Sequence, residues 1–152
     1  MRIRALRPDD LPGVVRLDAQ HTGRRKPAYW RRVFDGFVRP GHGAGRVALA
    51  AEDQGAMVGY LLGEVRAFEF GSEPCGWVFA VGVDRARLRL GIASGLLDEA
   101  RRRFRRAGVR TVRTMIRRDD VPLMSFFRSS GFVGGRFLQL ESAIEAREEE
   151  AG

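Results

Sequence analysis

The chemistry most legible in this chain is a loop suited to an anion. Gly91-Ile92-Ala93-Ser94-Gly95 opens a long amphipathic pattern, and Arg85, Arg87 and Arg89 come just before it. Gly91 and Ala93 remove side-chain bulk where N–H groups point outward at a helix start, and Gly95 keeps the first turn slim. Free N–H groups and the positive end of the helix dipole make an anion site. A pyrophosphate is its natural guest. A small-residue helix start packed on a strand would read the same way. A Walker loop is ruled down, because no lysine precedes a Ser or Thr after these glycines. A dinucleotide fingerprint is ruled down too: Ala93 holds its second glycine position and the unit sits mid-chain. His21 and His42 are far apart and Cys75 is the single cysteine, so no metal site is expected.

The elements that must position this loop follow from hydrophobic spacing. Trp77 to Val83 is an apolar run, read with Cys75 as a buried strand over 75–83. After the loop, Ile92, Leu96, Leu97, Ala100 and Phe104 share one helical face, and the pattern stops at Gly108. The opposite face carries Asp98 and Glu99 early and five arginines late, which suits the macrodipole. Its i,i+4 pairs each contribute about 0.2–0.5 kcal/mol. Upstream, the sequence predicts a strand over 2–6, a helix after the Asp9-Asp10 cap, a loop over 21–27 and a helix over 28–38. Pro40 to Gly45 breaks that helix. A hairpin of strands at 46–51 and 57–70 comes next, turning at Asp53-Gln54-Gly55. Downstream come a strand over 109–116, a short helix over 121–130 capped by Asp119-Asp120, and a last strand over 132–140. The order is β-α-α-β-β-β-α-β-α-β. Short turns give antiparallel pairs, and the strand–helix–strand unit gives a right-handed crossover and a parallel pair. The expected class is α/β (α+β), a mixed, mostly antiparallel sheet of six to seven strands with helices on both faces. One domain over 1–140 and an acidic tail over 141–152 are expected.

Composition narrows the setting. The 152 residues suit one globular domain, 44% hydrophobic and 30% charged. No apolar run approaches the roughly 20 residues that cross a bilayer, and the start lacks a secretory apolar core. With one cysteine, this favours the cytoplasm and no membrane partner. The net charge of +8 admits a polyanion partner. Lys26 is the only lysine, so the excess is arginine, which reads as a compositional habit. Nucleic acid is not the expected partner, since neither aromatic–basic interleaving nor a helix-turn-helix pattern is present.

The loop resembles the acyl-CoA-binding motif of the GCN5-related N-acetyltransferase (GNAT) superfamily, in which a V-D/P turn leads to R/Q-x-x-G-x-G/A and a helix. Here Val83-Asp84 is followed by Leu88-Arg89-Leu90-Gly91-Ile92-Ala93, with Leu88 at the Arg/Gln position. A second family signature, N-x-x-A-x-x-x-Y-x-x-x-G-F, reads Asp120-Val121-Pro122-Leu123-Met124-Ser125-Phe126-Phe127-Arg128-Ser129-Ser130-Gly131-Phe132. The Gly-Phe end and the spacing match. The strand order fits as well, so the resemblance covers residues 2–140.

What the resemblance implies is acyl transfer, usually of acetyl, from acetyl-CoA to an amine on a small molecule, a protein N-terminus or a lysine. The pantetheine arm would lie where the 75–83 strand splays from the next. A bulge, for which Gly82 is suited, would produce that splay, and the Val81 N–H would polarise the thioester carbonyl. The implied cofactor contacts are Val81, Gly82, Val83, Arg87, Leu88, Arg89, Leu90, Gly91, Ile92, Ala93, Ser94, Asp120 and Phe127. Phe127 stands where the family often has a tyrosine acid, and phenylalanine cannot donate. Glu73 shares a strand side with Cys75 and Trp77 and is the candidate base, through water. Glu64, Tyr60 and Asp120 are weaker candidates, and Asp120 reads also as a helix cap. The early helices would shape the acceptor site, with Tyr29, Trp30 and Phe34 as candidates. A homodimer is compatible with this reading. The alternative is a catalytically weak or inactive acyl-CoA-binding module of the same fold, acting as a sensor or partner protein.

Overall fold

The computed structural model describes residues 1–38 and 45–145. The break at Pro40–Ala44, with His42, and the tail from residue 146 lie outside the described residues. The sheet is built from β1 (Arg2–Ala5), β2 (Arg46–Asp53), β3 (Ala56–Arg66), β4 (Cys75–Val83) and β5 (Val112–Thr114), in that spatial order. The first four pair antiparallel and β4 pairs parallel with β5. The helices are α1 (Leu11–Thr22), α2 (Pro27–Phe37), α3 (Ile92–Arg106) and α4 (Val121–Ser129). No helix among the described residues is long and apolar enough to cross a membrane.

Alternation along the strands makes two cores, one on each face. Val47, Leu49 and Ala51 of β2 face α3, where they meet Ile92, Leu96, Leu97, Ala100 and Phe104. Ala50, Tyr60 and Leu62 face the other way, against Val14, Val15 and Leu17 of α1 and Trp30 and Phe34 of α2. The predicted helix face of α3 is therefore the one buried. Its arginines stay outside, where Glu99 serves both Arg102 (2.9 Å) and Arg103 (3.2 Å). At the sheet's first edge, Arg4 holds Asp10 through two hydrogen bonds of 2.7 and 2.9 Å, which ties β1 to the start of α1.

Four expectations need correction. Among the described residues the sheet has five strands, because residues 132–140 form none. Gly134-Gly135 weakens a strand there, and Phe137 packs its ring 5.1 Å from the Arg113 guanidinium instead of joining a ladder. The strand expected over 109–116 pairs only over Val112–Thr114, where β4 offers a partner. The strand expected to reach residue 70 ends at Arg66, after which Phe68 and Phe70 take left-handed conformations (φ 64° and 51°) that leave the ladder. Residues 21 and 22, expected in a loop, complete α1, which stops at Gly23 in a left-handed cap.

Close approach of α3 to the sheet depends on Gly76. A Cβ there would lie 2.6 Å from the ring carbons of Phe104, a side chain buried on all sides. Gly76→Ala is therefore overpacked and is expected to cost about 1–3 kcal/mol, measured as a fall in the urea midpoint at unchanged m-value.

Candidate active site

The site begins where two strands part. β4 and β5 pair at Gly76–Val112, Trp77–Arg113 and Val78–Thr114, and no further. The Thr114 hydroxyl donates to the Val78 carbonyl at 2.9 Å and closes the last rung. On its other side β4 stays paired with β3 as far as Val83, but the register shifts between Leu62 and Gly63, leaving Phe79 as the extra residue. Phe79 and Ala80 consequently both pack toward α1 and α2. The irregularity is at Phe79, three positions before the expected Gly82. Gly82 has a different physical reason. The Tyr60 ring lies across it, and a Cβ would come 2.6–2.8 Å from that ring and its hydroxyl.

The parting opens a cavity of about 310 Å³. Val78 to Val81 form its floor and Thr114, Met115, Leu123 and Phe127 one wall. Asp18, Lys26, Tyr29, Trp30 and Tyr60 form the wall opposite. Asp18 is the one buried charged residue among those described. Its Oδ2 accepts from Trp30 Nε1–H at 3.0 Å and lies 3.1 Å from Lys26 Nζ. Burial, with the Asp18 carboxylate and Tyr29 nearby, pushes the Tyr60 phenol well above its ordinary range. That group stays protonated at neutral pH.

At the far end of β4 the chain turns into the anion loop. Arg89 (φ 65°) and Gly91 (φ 80°) both take left-handed conformations, and Gly91 caps α3. The first backbone bond of the helix runs from Gly95 N–H to Gly91 C=O at 3.0 Å. The N–H groups of Ile92, Ala93 and Ser94 precede it and have no intrahelical acceptor. The loop is held by α1. His21 Nε2–H donates to the Val83 carbonyl at 2.7 Å, and Arg85 N–H donates to Gln20 Oε1 at 3.0 Å. The Asp84 carboxylate caps the following turn by accepting from Ala86 N–H at 3.0 Å. Arg87 is ion-paired with Asp53, so its charge anchors the loop and is not free above it. Leu88 and Leu90 are exposed, while Ile92 is buried in the core beneath.

The structure brings together most of the expected donor-side residues and separates the rest. Val81 lines the cavity, and Gly82 and Val83 continue the same strand toward the loop. Phe127 is a buried cavity wall, its ring 4.9 Å from Phe132. Asp120 caps α4, accepting from Leu123 N–H at 3.2 Å. Tyr29 and Trp30 line the cavity, whereas Phe34 is buried in the core behind them. Glu73 is exposed before β4 begins, eight positions from Val81, or about 26 Å along extended chain. Glu64 is engaged with Arg66 at 3.2 Å. Cys75 is buried at the start of β4. The residue that sequence reasoning missed is Asp18. A signal existed: Asp18 falls three and four positions after Val15 and Val14, on the apolar face of α1, where a lone carboxylate needs a partner.

The layout is a mostly antiparallel sheet with helices on both faces, in which β4 and β5 part after a three-residue parallel ladder. The model of the acetyltransferase (GNAT) family matches residues 11–132, and the chain belongs to that family. Solved structures agree on the fold. Aminoglycoside N-acetyltransferase AAC(6')-Iy in complex with CoA superposes with a TM-score of 0.78 at 13% identity, over 93% of each chain. The apo aminoglycoside 6'-N-acetyltransferase AAC(6')-IG of Acinetobacter haemolyticus gives 0.75 at 17% identity, over 95% of this chain and 100% of that one. A transcriptional regulator from Bacillus halodurans C-125 gives 0.76 at 19% identity, over 94% and 99%. No curated protein sequence matches the chain.

The buried phenol supplies a test of this geometry. The chain has two tyrosines, and alkaline titration followed by phenolate absorbance is expected to show a late phase that disappears in Tyr60→Phe. The folded pKa lies above the ordinary 10.0, so the contribution of Tyr60 to stability is complete below pH 10 and is lost as pH rises toward the folded value. Above pH 10 wild type should therefore lose stability faster than Tyr60→Phe.

Proposed function

We propose that the protein transfers an acetyl group from acetyl-CoA to a primary amine of a small molecule or peptide, by direct attack with both substrates bound. The observation that carries this reading is the parting of β4 from β5 after Val78, which opens a cavity along strand backbone leading to a helix N-terminus with free N–H groups. An acyl-pantetheine has the shape for that cavity, and the pyrophosphate at its end carries the negative charge that free N–H groups attract. Similar folds support it: AAC(6')-Iy was solved with CoA and with the bisubstrate analogue CoA-S-monomethyl-acetylneamine, and meta-AAC0020 with sisomicin.

In this reading the pyrophosphate sits against the N–H groups between Arg89 and Ser94, with the Arg89 guanidinium adding charge and Leu88 contributing backbone only. The pantetheine runs along Val81–Val83, between β4 and the wall that includes Phe127, and Asp120 holds the start of that wall. The Val81 N–H polarises the thioester carbonyl as it becomes an oxyanion. The acceptor enters the cavity beside Tyr29, which packs edge-on against Trp30. Its ammonium must lose a proton before attack. Glu73 could receive that proton only through a long chain of waters. Asp18 is the carboxylate in the cavity, and we assign it the proton. Phe127 cannot protonate the leaving thiolate, which leaves water for that step. The missing tyrosine favours one competing reading, an acyl-CoA-binding module without turnover.

One measurement tests acetyl-CoA binding, and a second decides between turnover and the binding module. Acetyl-CoA is expected to raise Tm, equivalent to about 2.7 kcal/mol at a hundredfold excess over Kd. Gly91→Asp should abolish that rise. A Cβ at Gly91 meets nothing within 4 Å and aspartate tolerates the left-handed region better than most residues, so the variant folds while placing negative charge at the phosphate position. An unchanged rise in Gly91→Asp would remove the loop from the binding site. Thiol release across a panel of amines is expected to show turnover; CoA binding with no release on any amine would favour the binding module.

A further inference from the structure

Among the 27 basic side chains of the chain, Lys26 carries the only ε-amine. Every other is an arginine, whose guanidinium stays protonated and does not acylate. That one amine lies in the cavity. Lys26 precedes α2 and lines the wall facing Val78–Val81, with its Nζ 3.1 Å from the buried Asp18 carboxylate and 5.9 Å from the centre of the Tyr29 ring. Asp18 is held in turn by the Trp30 indole N–H, so it cannot swing away. The side chain of Lys26 remains one-third exposed on a flexible stem. A primary amine, set against a carboxylate and sharing a small cavity with the Val81 backbone, is what an acetyl acceptor must provide.

We propose that Lys26 is a self-acetylation site: with acetyl-CoA bound, the protein acetylates its own Nζ. This rests on the acetyltransferase reading above. Asp18 takes one proton from the ammonium and frees the nitrogen lone pair. The N–C bond forms at the thioester carbonyl and the C–S bond breaks. The second nitrogen proton is lost as the tetrahedral adduct collapses. One of the two protons ends on the departing thiolate, giving free CoA, and the other passes to solvent. The product amide carries no charge, so the Lys26–Asp18 ion pair is lost and the cavity wall becomes net negative. Acetylation would thereby change which acceptors the cavity admits.

The test needs no knowledge of the natural acceptor. Full-length protein is incubated with acetyl-CoA alone, then examined by intact mass and peptide mapping. The expected result is one acetyl group, on Lys26. Lys26→Arg should lack it while showing the same acetyl-CoA-induced rise in Tm as wild type, and Gly91→Asp should lose both the rise and the adduct. A Tm rise in wild type with no acetyl on Lys26 would overturn the proposal. So would equal acetylation in Gly91→Asp with its Tm rise lost, which would mean reaction from bulk solution. No Tm rise in wild type would bring down the acetyltransferase reading itself, and this site with it.

Discussion

The functional architecture depends on two strands that stop pairing. A parallel ladder leaves evenly spaced N–H and C=O groups on each strand, and an unpaired strand edge seeks a partner. β4 keeps β3 on one side along its whole length, but on the other it has β5 only as far as Val78. From Phe79 onward its outer edge faces a cavity. The last rung is reinforced by the Thr114 hydroxyl on the Val78 carbonyl, so the two strands diverge from a defined point rather than fraying. The extra residue at Phe79 bends the strand there, as bulges do.

The anion loop depends on that strand for position and on α1 for shape. His21, Gln20 and Arg16 of α1 meet Val83, Arg85 and Asp84 within the span where β4 ends. The Arg87–Asp53 pair fixes the next turn to β2. The left-handed residues Arg89 and Gly91 then aim the first turn of α3 outward. Of the loop's arginines, Arg87 anchors it to β2, while the N–H groups of Ile92, Ala93 and Ser94 are left without intrahelical acceptors. The same helix that braces the loop contributes Asp18 to the cavity, so the loop and the cavity are linked through α1.

Local patterns were legible where one residue type has one physical use. The apolar stripe of α3, the Gln54-Gly55 turn and the bounds of β4 follow from periodicity and turn chemistry, and the two signatures that end at Ala93 and Phe132 pointed to the family. Residues 132–140 misled because alternation with apolar side chains predicts a strand only if an edge is available, and β5 ends after three residues. Gly82 was read for its own backbone freedom, whereas its reason is the ring of Tyr60 on the neighbouring strand. Glu73 was favoured by alternation on β4, which fixes the side of a strand but not the distance along it to the point of parting.

The sequence by itself determined the α/β class, the order of elements as far as α4, and the family, because all of these are encoded in short-range spacing. Only the tertiary structure decided which carboxylate enters the cavity. Asp18 and Trp30 lie on different helices, and Tyr60 lies on a third element. Their meeting depends on how α1 and α2 dock on one face of the sheet. The burial that perturbs Tyr60 and holds Asp18 against Lys26 exists only once that face is covered, and no local pattern of residues carries it.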